Sequence, residues 1–192
     1  MHSINQRIDF LRESLKNLRN TGSIAPSSRF LCKNMADKID TARAQVVVEL
    51  GAGNGVITSY ILDRLRPDAR LLIFEINDAF VDKITQKFDD PRILLIHDSA
   101  EKMGKHFEKH GITHVDYFVS AIPFVMLPEA VAQNIIGECL RWLKPGGQFI
   151  QFHYSRVLVN YYKRIFGNAT VDFVALNMPP AFIITCEKTS GK

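Results

Sequence analysis

The sequence predicts an α/β domain, a mostly parallel sheet covered by helices on both faces. Three observations carry that prediction. Short apolar runs alternate with stretches of helical spacing from residue 46 to residue 166, the pattern of successive strand–helix units. The run Val46-Val47-Val48-Glu49-Leu50 reads as a buried parallel strand. It leads straight into Gly51-Ala52-Gly53-Asn54-Gly55, whose glycines allow a sharp turn and a close approach of backbone to a ligand, and residues 56–65 then resume at helical spacing. A strand, a glycine loop and a helix N-terminus in that order form the first unit of a nucleotide-binding type of fold.

The elements follow in order. Residues 3–19 predict an amphipathic helix, with Ile4, Ile8, Leu11, Leu15 and Leu18 on one stripe and Arg7, Arg12, Lys16 and Arg19 beside it. Thr21-Gly22-Ser23-Ile24-Ala25-Pro26 breaks the chain. Ser27 or Ser28 caps a second helix with Leu31, Met35 and Ile39 on one face. Strands are expected at 46–50, 71–75, 93–97, 116–120 and 148–152, and helices at 56–65, 79–88, 100–110 and 129–143. Lys144-Pro145-Gly146-Gly147 is expected to stop the last helix, with glycine in a left-handed cap. A helix near 156–166 and strands near 170–176 and 181–187 complete a seven-stranded sheet. The expectation is one domain over 1–192, with a helical N-terminal lid at 1–43 and a cofactor-binding core at 44–192.

The bulk properties exclude several classes. The chain has 192 residues, enough for a substantial core, and 46% hydrophobic residues, ordinary for a globular protein. Its net charge of +4 is carried by residues 1–43, where eight Lys/Arg outnumber four Asp/Glu. Cys32, Cys139 and Cys186 have no metal-like spacing and read as reduced thiols. No apolar run approaches the ~20 residues that span a bilayer, and no signal-peptide core is expected. His106, His110 and His114 recur every four residues, but Gly111 interrupts them; they read as a polar helix end, and no metal is expected.

Functional side chains in such sheets lie at the carboxyl ends of strands. Glu49 stands two residues before Gly51. A carboxylate there repels a diphosphate and suits a ligand with a cationic end, such as the ammonium and sulfonium of S-adenosylmethionine (SAM). Here the sequence resembles the class I SAM-dependent methyltransferases, whose first motif, an acid followed by alternating glycines, is matched by Glu49, Gly51, Gly53 and Gly55. The resemblance implies a Rossmann-like fold. Ala52 and Ile76 are expected to line the cofactor, Glu75 to accept from the ribose, and Asp98 with Ser99 to meet the adenine. Ala121 ends the fourth strand beside the transferred methyl. Nitrogen-directed members carry a polar residue, one spacer, proline and an aromatic at that point. Here Ser120-Ala121-Ile122-Pro123-Phe124 is one residue longer, so the backbone carbonyls of Ala121 and Ile122 are expected to hold the acceptor. Pro123, Phe124 and Tyr154 are the expected catalytic residues, with the two rings favouring a methylated ammonium.

The flanks narrow the family. Residues 22–31 (GSIAPSSRFL), 118–127 (FVSAIPFVML), Gln151-Phe152-His153-Tyr154 and Asn177-Met178-Pro179-Pro180-Ala181 are similar to bacterial phospholipid N-methyltransferases. That resemblance implies methylation of a lipid amine, phosphatidylethanolamine towards phosphatidylcholine, or an ornithine lipid or other amino-lipid. It implies a cytoplasmic enzyme peripheral to the inner membrane. Helix 3–19 is expected to contact an anionic membrane surface, and Arg29 or Arg156 to hold the lipid phosphate. The rivals are an rRNA adenine or small-molecule N-methyltransferase and a non-catalytic SAM-binding interaction module. Nucleic acid is not the expected partner, because the positive charge is confined to the N-terminal segment.

Overall fold

The structure is a computed structural model that describes residues 28–191. The amphipathic helix expected at 3–19 lies outside the described residues. The elements in chain order are α1 (Arg29–Ala36), β1 (Val46–Leu50), α2 (Val56–Leu62), β2 (Arg70–Phe74), α3 (Asp78–Lys87) and β3 (Ile93–Ile96). A 3₁₀ turn (Ala100–Lys102), α4 (Met103–Lys109), β4 (Val115–Ser120) and a second 3₁₀ turn (Phe124–Met126) follow. Then come α5 (Glu129–Trp142), β5 (Leu143–His153), α6 (Val159–Phe166), β6 (Thr170–Val174) and β7 (Ala181–Glu187). The seven strands form one sheet in the order β3-β2-β1-β4-β5-β7-β6. Pairing is parallel except that β7 runs antiparallel to both β5 and β6.

The period-two alternation of each strand feeds two apolar layers. Val47, Ile73, Val119, Ile150 and Ile183 face α1 and α2. Val48, Leu72, Phe118, Phe149 and Ile184 face α4, α5 and α6. Because both faces are covered, the inner strands read as continuous apolar runs, and that is why the sequence reveals them. Ser28 is the cap of α1, with its Oγ accepting from the Leu31 N–H at 3.2 Å. Leu31, Cys32 and Met35 are wholly buried, so the described α1 packs as a layer on the core.

One correction concerns residues 144–147. The helix α5 ends at Trp142, and its cap residue Leu143 is already extended (φ −60°, ψ 135°). Leu143 pairs with Val115, Gly146 N–H donates to the Lys188 carbonyl at 2.7 Å, and Lys188 N–H returns to the Gly147 carbonyl at 2.9 Å. The glycines therefore belong to β5. A Cβ on Gly147 would sit 2.9 Å from the carbonyl oxygens of Asp116 and Lys144, so this residue serves close backbone approach and no helix cap.

The neighbours of β1 are β2 on one side and β4 on the other, so strand order reverses there. The crevice at the carboxyl ends of β1 and β4 is where such a sheet binds its ligand.

Candidate functional site

The glycine loop leaves β1 with its backbone in the left-handed region three times, at Gly51 (φ 73°), Gly53 (φ 56°) and Gly55 (φ 69°). Such angles strain any residue with a Cβ. Space reinforces the requirement. A Cβ on Gly51 would lie 3.2 Å from Ile122 Cγ1, and one on Gly55 would lie 2.6 Å from the Phe88 ring. Gly51 N–H is held by the Phe74 carbonyl at 2.8 Å, which ties the loop to β2. Ala52 is buried against the α1–α2 layer.

Glu49 is wholly buried. Its Oε2 accepts from Thr58 Oγ1 of α2 at 2.7 Å, while Oε1 has no hydrogen-bond partner among the described residues. Burial pushes its carboxyl up to about 7, with the nearby Glu75 adding to the rise and the Thr58 hydroxyl opposing it. The carboxyl that the sequence places before the glycine loop is thus a wholly buried one, whose ionisation a nearby cation favours. An orphaned acceptor behind a glycine cradle fits the ammonium end of SAM. It does not fit a diphosphate.

Glu75, one residue past β2, organises the loop. Its Oε2 accepts from Gly53 N–H at 3.0 Å, and its Oε1 accepts from the N–H groups of Ile76 and Asn77 at 2.9 Å each. Burial raises its carboxyl above the ordinary range, against these three bonds. A carboxylate offers about four acceptor positions, so one, on Oε2, is left for a hydroxyl. Ile76 packs its side chain against the α4–α6 layer.

Asp98, after β3, gathers partners that the sequence reading misses. Its Oδ1 accepts from Lys102 Nζ and from Ser99 N–H at 2.8 Å, and its Oδ2 lies 3.0 Å from His106 Nε2. Burial acts to raise this carboxyl, but those partners outweigh it and hold it below the ordinary range. Ser99 is the cap of the following 3₁₀ turn, accepting from Glu101 N–H at 3.2 Å. The i, i+4 step from Asp98 to Lys102 and the i, i+8 step to His106 are the helical spacings that signal this cluster. His106 also stands edge-on to Phe74, with centroids 5.7 Å apart.

The acceptor side is built from β4, β5 and the β6–β7 loop. Ser120 is buried, with its Oγ accepting from Ile122 N–H at 3.3 Å. The Ile122 carbonyl takes Phe124 N–H at 2.9 Å and Gln151 Nε2 at 3.1 Å. Both its lone pairs are engaged, so the expectation that it holds the acceptor is corrected, and Ala121 supplies the remaining carbonyl of that loop. Phe124 is corrected as well. It is 2% exposed and packs on Phe149 with centroids 6.3 Å apart, so its ring fills the core and presents no face to a ligand. Pro123 (φ −78°, ψ 72°) starts the 3₁₀ turn that carries Phe124 inward.

Tyr154 stays accessible, 36% exposed, with its ring edge-on to Phe152. Burial raises its phenol above the ordinary range, and the nearby Asn177 amide opposes that rise. Asn177 is itself buried. Its Oδ1 accepts from Ser28 N–H at 2.8 Å, and its Nδ2 donates to the Pro179 carbonyl at 2.6 Å. One amide thus ties the start of α1 to the β6–β7 loop, beside Tyr154. The sequence offers Asn177 only as part of a motif, because its partners lie up to 149 residues away. Among the described residues no group of three or more His, Cys, Asp or Glu is placed to hold a metal.

The sheet order, the glycine cradle and the three strand-end carboxyl groups define a class I methyltransferase. The chain belongs to the family described as "Methyltransferase domain", whose profile matches residues 47–147, and it is a SAM-dependent enzyme. It is 30% identical over 179 residues to an ornithine lipid N-methyltransferase from Singulisphaera acidiphila, covering 92% of this chain and 93% of that one. Among solved structures it is similar to an O-methyltransferase from Bacillus cereus in complex with SAH (TM-score 0.68, 16% identity, 93% and 90% of the two chains). It is also similar to the O-methyltransferase TomG from Streptomyces achromogenes in complex with SAM (TM-score 0.64, 13% identity, 98% and 91%). An rRNA methylase from Streptococcus thermophilus shares the fold as well (TM-score 0.63, 16% identity, 83% and 94%).

Proposed function

We propose that this enzyme methylates the amine of a membrane lipid head group, of the phosphatidylethanolamine or ornithine-lipid kind, at the cytoplasmic face of a membrane. The observation that carries this reading is the bond from Ser28 N–H to Asn177 Oδ1. It joins the two segments most particular to the lipid-directed family, beside Tyr154 and the crevice. The similar protein named as an ornithine lipid N-methyltransferase supports the choice of an amino-lipid.

Bound SAM supplies a methyl group already activated by positive sulfur. The chain's own residues do the rest. The Gly51, Gly53 and Gly55 backbone would leave room for it, Glu49 Oε1 would take its ammonium, and Glu75 Oε2 would accept from its ribose. Asp98 would accept from its adenine amino group, with Ser99 N–H holding the Asp98 carboxylate in place. Ala121 O accepts an N–H of the lipid amine and fixes the direction of the lone pair. An ammonium, with an intrinsic pKa of ~10, must first lose a proton. The loop Ala121-Ile122-Pro123 carries no acid to hold it charged, so desolvation lowers that pKa and the proton leaves to solvent before attack. The nitrogen lone pair then forms the new N–C bond as the methyl leaves sulfur, whose bonding pair stays on a neutral thioether. Tyr154 offers its ring face to the methylated product. Arg29 and Arg156 are exposed, next to Ser28 and two residues after Tyr154, and take the anionic group of the lipid. Residues 3–19 hold the enzyme on an anionic leaflet, each Lys or Arg adding up to ~1 kcal/mol.

Transfer of radiolabelled methyl to vesicles of phosphatidylethanolamine, vesicles of ornithine lipid, total RNA and a metabolite extract tests the proposal. Label in lipid is expected. Label confined to RNA or to soluble metabolites overturns it.

A further inference from the structure

The exposed large hydrophobic residues of the described structure are Phe30, Val125, Met126, Tyr154, Val157, Phe173, Leu176 and Met178. All eight lie at one end of the sheet. Val125 and Met126 follow β4, Tyr154 and Val157 follow β5, and Phe173, Leu176 and Met178 surround the turn from β6 to β7. Those three connections share the carboxyl end because β4, β5 and β6 point the same way and β7 returns. Phe30 joins them through Ser28, two residues earlier, whose N–H is bonded to Asn177. At the opposite end the loops 37–45, 66–69, 89–92 and 110–114 expose no large hydrophobic residue. Scattered surface apolar residues need no explanation, but a set confined to the mouth of a site marks a contact surface.

Charge identifies the partner. The segments 28–34, 121–128, 154–158 and 175–180 contain Arg29, Lys33 and Arg156 and no Asp or Glu. Of these cations Lys33 is paired with Asp37 at 2.6 Å, and the flanking Asp172 is paired with Lys38, while Glu129 follows the second segment, so Arg29 and Arg156 carry the positive charge of the rim. Apolar tips among cations match the boundary between acyl chains and anionic head groups. We propose that this rim is the face that docks on a lipid bilayer, with Val157, Leu176 and Met178 entering the interface, so that a head group enters the crevice without leaving the membrane. The inference rests on the lipid-amine reading above and adds to residues 3–19 a second, folded contact that sets orientation. Met178, 86% exposed, is expected to enter furthest.

The test uses the full chain with vesicles of phosphatidylglycerol and phosphatidylethanolamine. The variant Val157→Asp/Leu176→Asp/Met178→Asp changes only exposed side chains. It is expected to bind vesicles at least tenfold more weakly and to methylate vesicle lipid correspondingly slowly. Methylation of a water-soluble short-chain phosphatidylethanolamine is expected to be unchanged. A separate Leu176→Trp variant is expected to gain a blue-shifted emission on vesicles that brominated lipid quenches. Trp142, near the opposite end of the sheet, is expected to stay unquenched. Unchanged vesicle binding by the triple variant overturns the proposal. So does a Leu176→Trp emission that is already blue without vesicles and turns red when residues 1–27 are deleted or the protein is diluted, since the rim is then covered by its own chain or a second copy. Intact docking with no methyl transfer to either lipid form defeats the lipid-amine reading and leaves the rim standing.

Discussion

The β1–β3 half and the β4–β7 half of this sheet solve different problems. In the first, each strand ends in a carboxyl group whose bonds are almost all local: Glu75 takes N–H groups from its own next two residues and from the adjacent loop, and Asp98 takes partners from the helical turns that follow it. In the second, the polar groups reach across the chain: Gln151 to the Ile122 carbonyl, Asn177 to Ser28. The difference teaches that cofactor recognition is written in short stretches, whereas the acceptor side is assembled from distant ones.

The sharpest way to break that comparison is to remove a local carboxylate. Glu75→Ala strips the acceptor from three backbone N–H groups, each such bond to a charged group contributing about 1.5–3 kcal/mol. SAM affinity by calorimetry is expected to fall by roughly 10²-fold. Normal affinity contradicts the ribose and loop role.

Glu49 gives the next largest effect, and it depends on pH. With its carboxyl at about 7, cation binding requires ionisation, so SAM affinity of the parent is expected to fall by about tenfold from pH 8 to pH 6. Glu49→Gln is expected to bind weakly at both, with a flat profile. Stability of the SAM-free protein has the opposite sense. The folded carboxyl is raised from 4.5 to about 7, so its share of stability is full below 4.5 and is lost as pH rises through about 7. His153, which burial lowers from 6.5 to about 4, loses stability as pH falls across the same range. The two oppose each other in the parent, and the difference curve between Glu49→Gln and parent isolates the glutamate.

On the acceptor side, Asn177→Ala is expected to raise the KM for lipid by roughly tenfold, the cost of one or two buried hydrogen bonds, with SAM affinity unchanged. A parallel loss of SAM affinity erases the division between the halves. Phe124→Leu has the smallest effect on function. It is expected to lower stability by about 1–2 kcal/mol in a denaturant titration and to leave the kcat/KM of folded enzyme near the parent's. A selective loss of kcat restores Phe124 to the acceptor site.

The same division explains what the sequence discloses. Parallel strands buried on both faces announce themselves as apolar runs, and a left-handed glycine loop announces itself by residue type; both are legible. Glu75 and Asp98 follow from counting to strand ends. Phe124 escapes the sequence because its place depends on the 3₁₀ turn begun at Pro123, and nothing in the linear order says whether a ring at a strand end turns inward. Gln151 and Asn177 are invisible as contacts because their partners are set by the pairing of β4 with β5 and of β5 with β7. The Gly146-Gly147 pair reads as a helix stop because a cap and a tight backbone crossing demand the same residue.

The reversed direction of β7 has a further consequence. Had the seventh strand run with its neighbours, the sixth connection would have been a long crossover ending far from the crevice. Reversal makes the final segment a hairpin whose tip stands at the carboxyl ends of β4 and β5, beside the crevice. Such a hairpin tip can change length or composition while the glycine cradle, several strands away in the sheet, keeps its shape. The exposed positions of 175–180 can thus vary to suit a different membrane surface, with the methyl-donor machinery left as it stands.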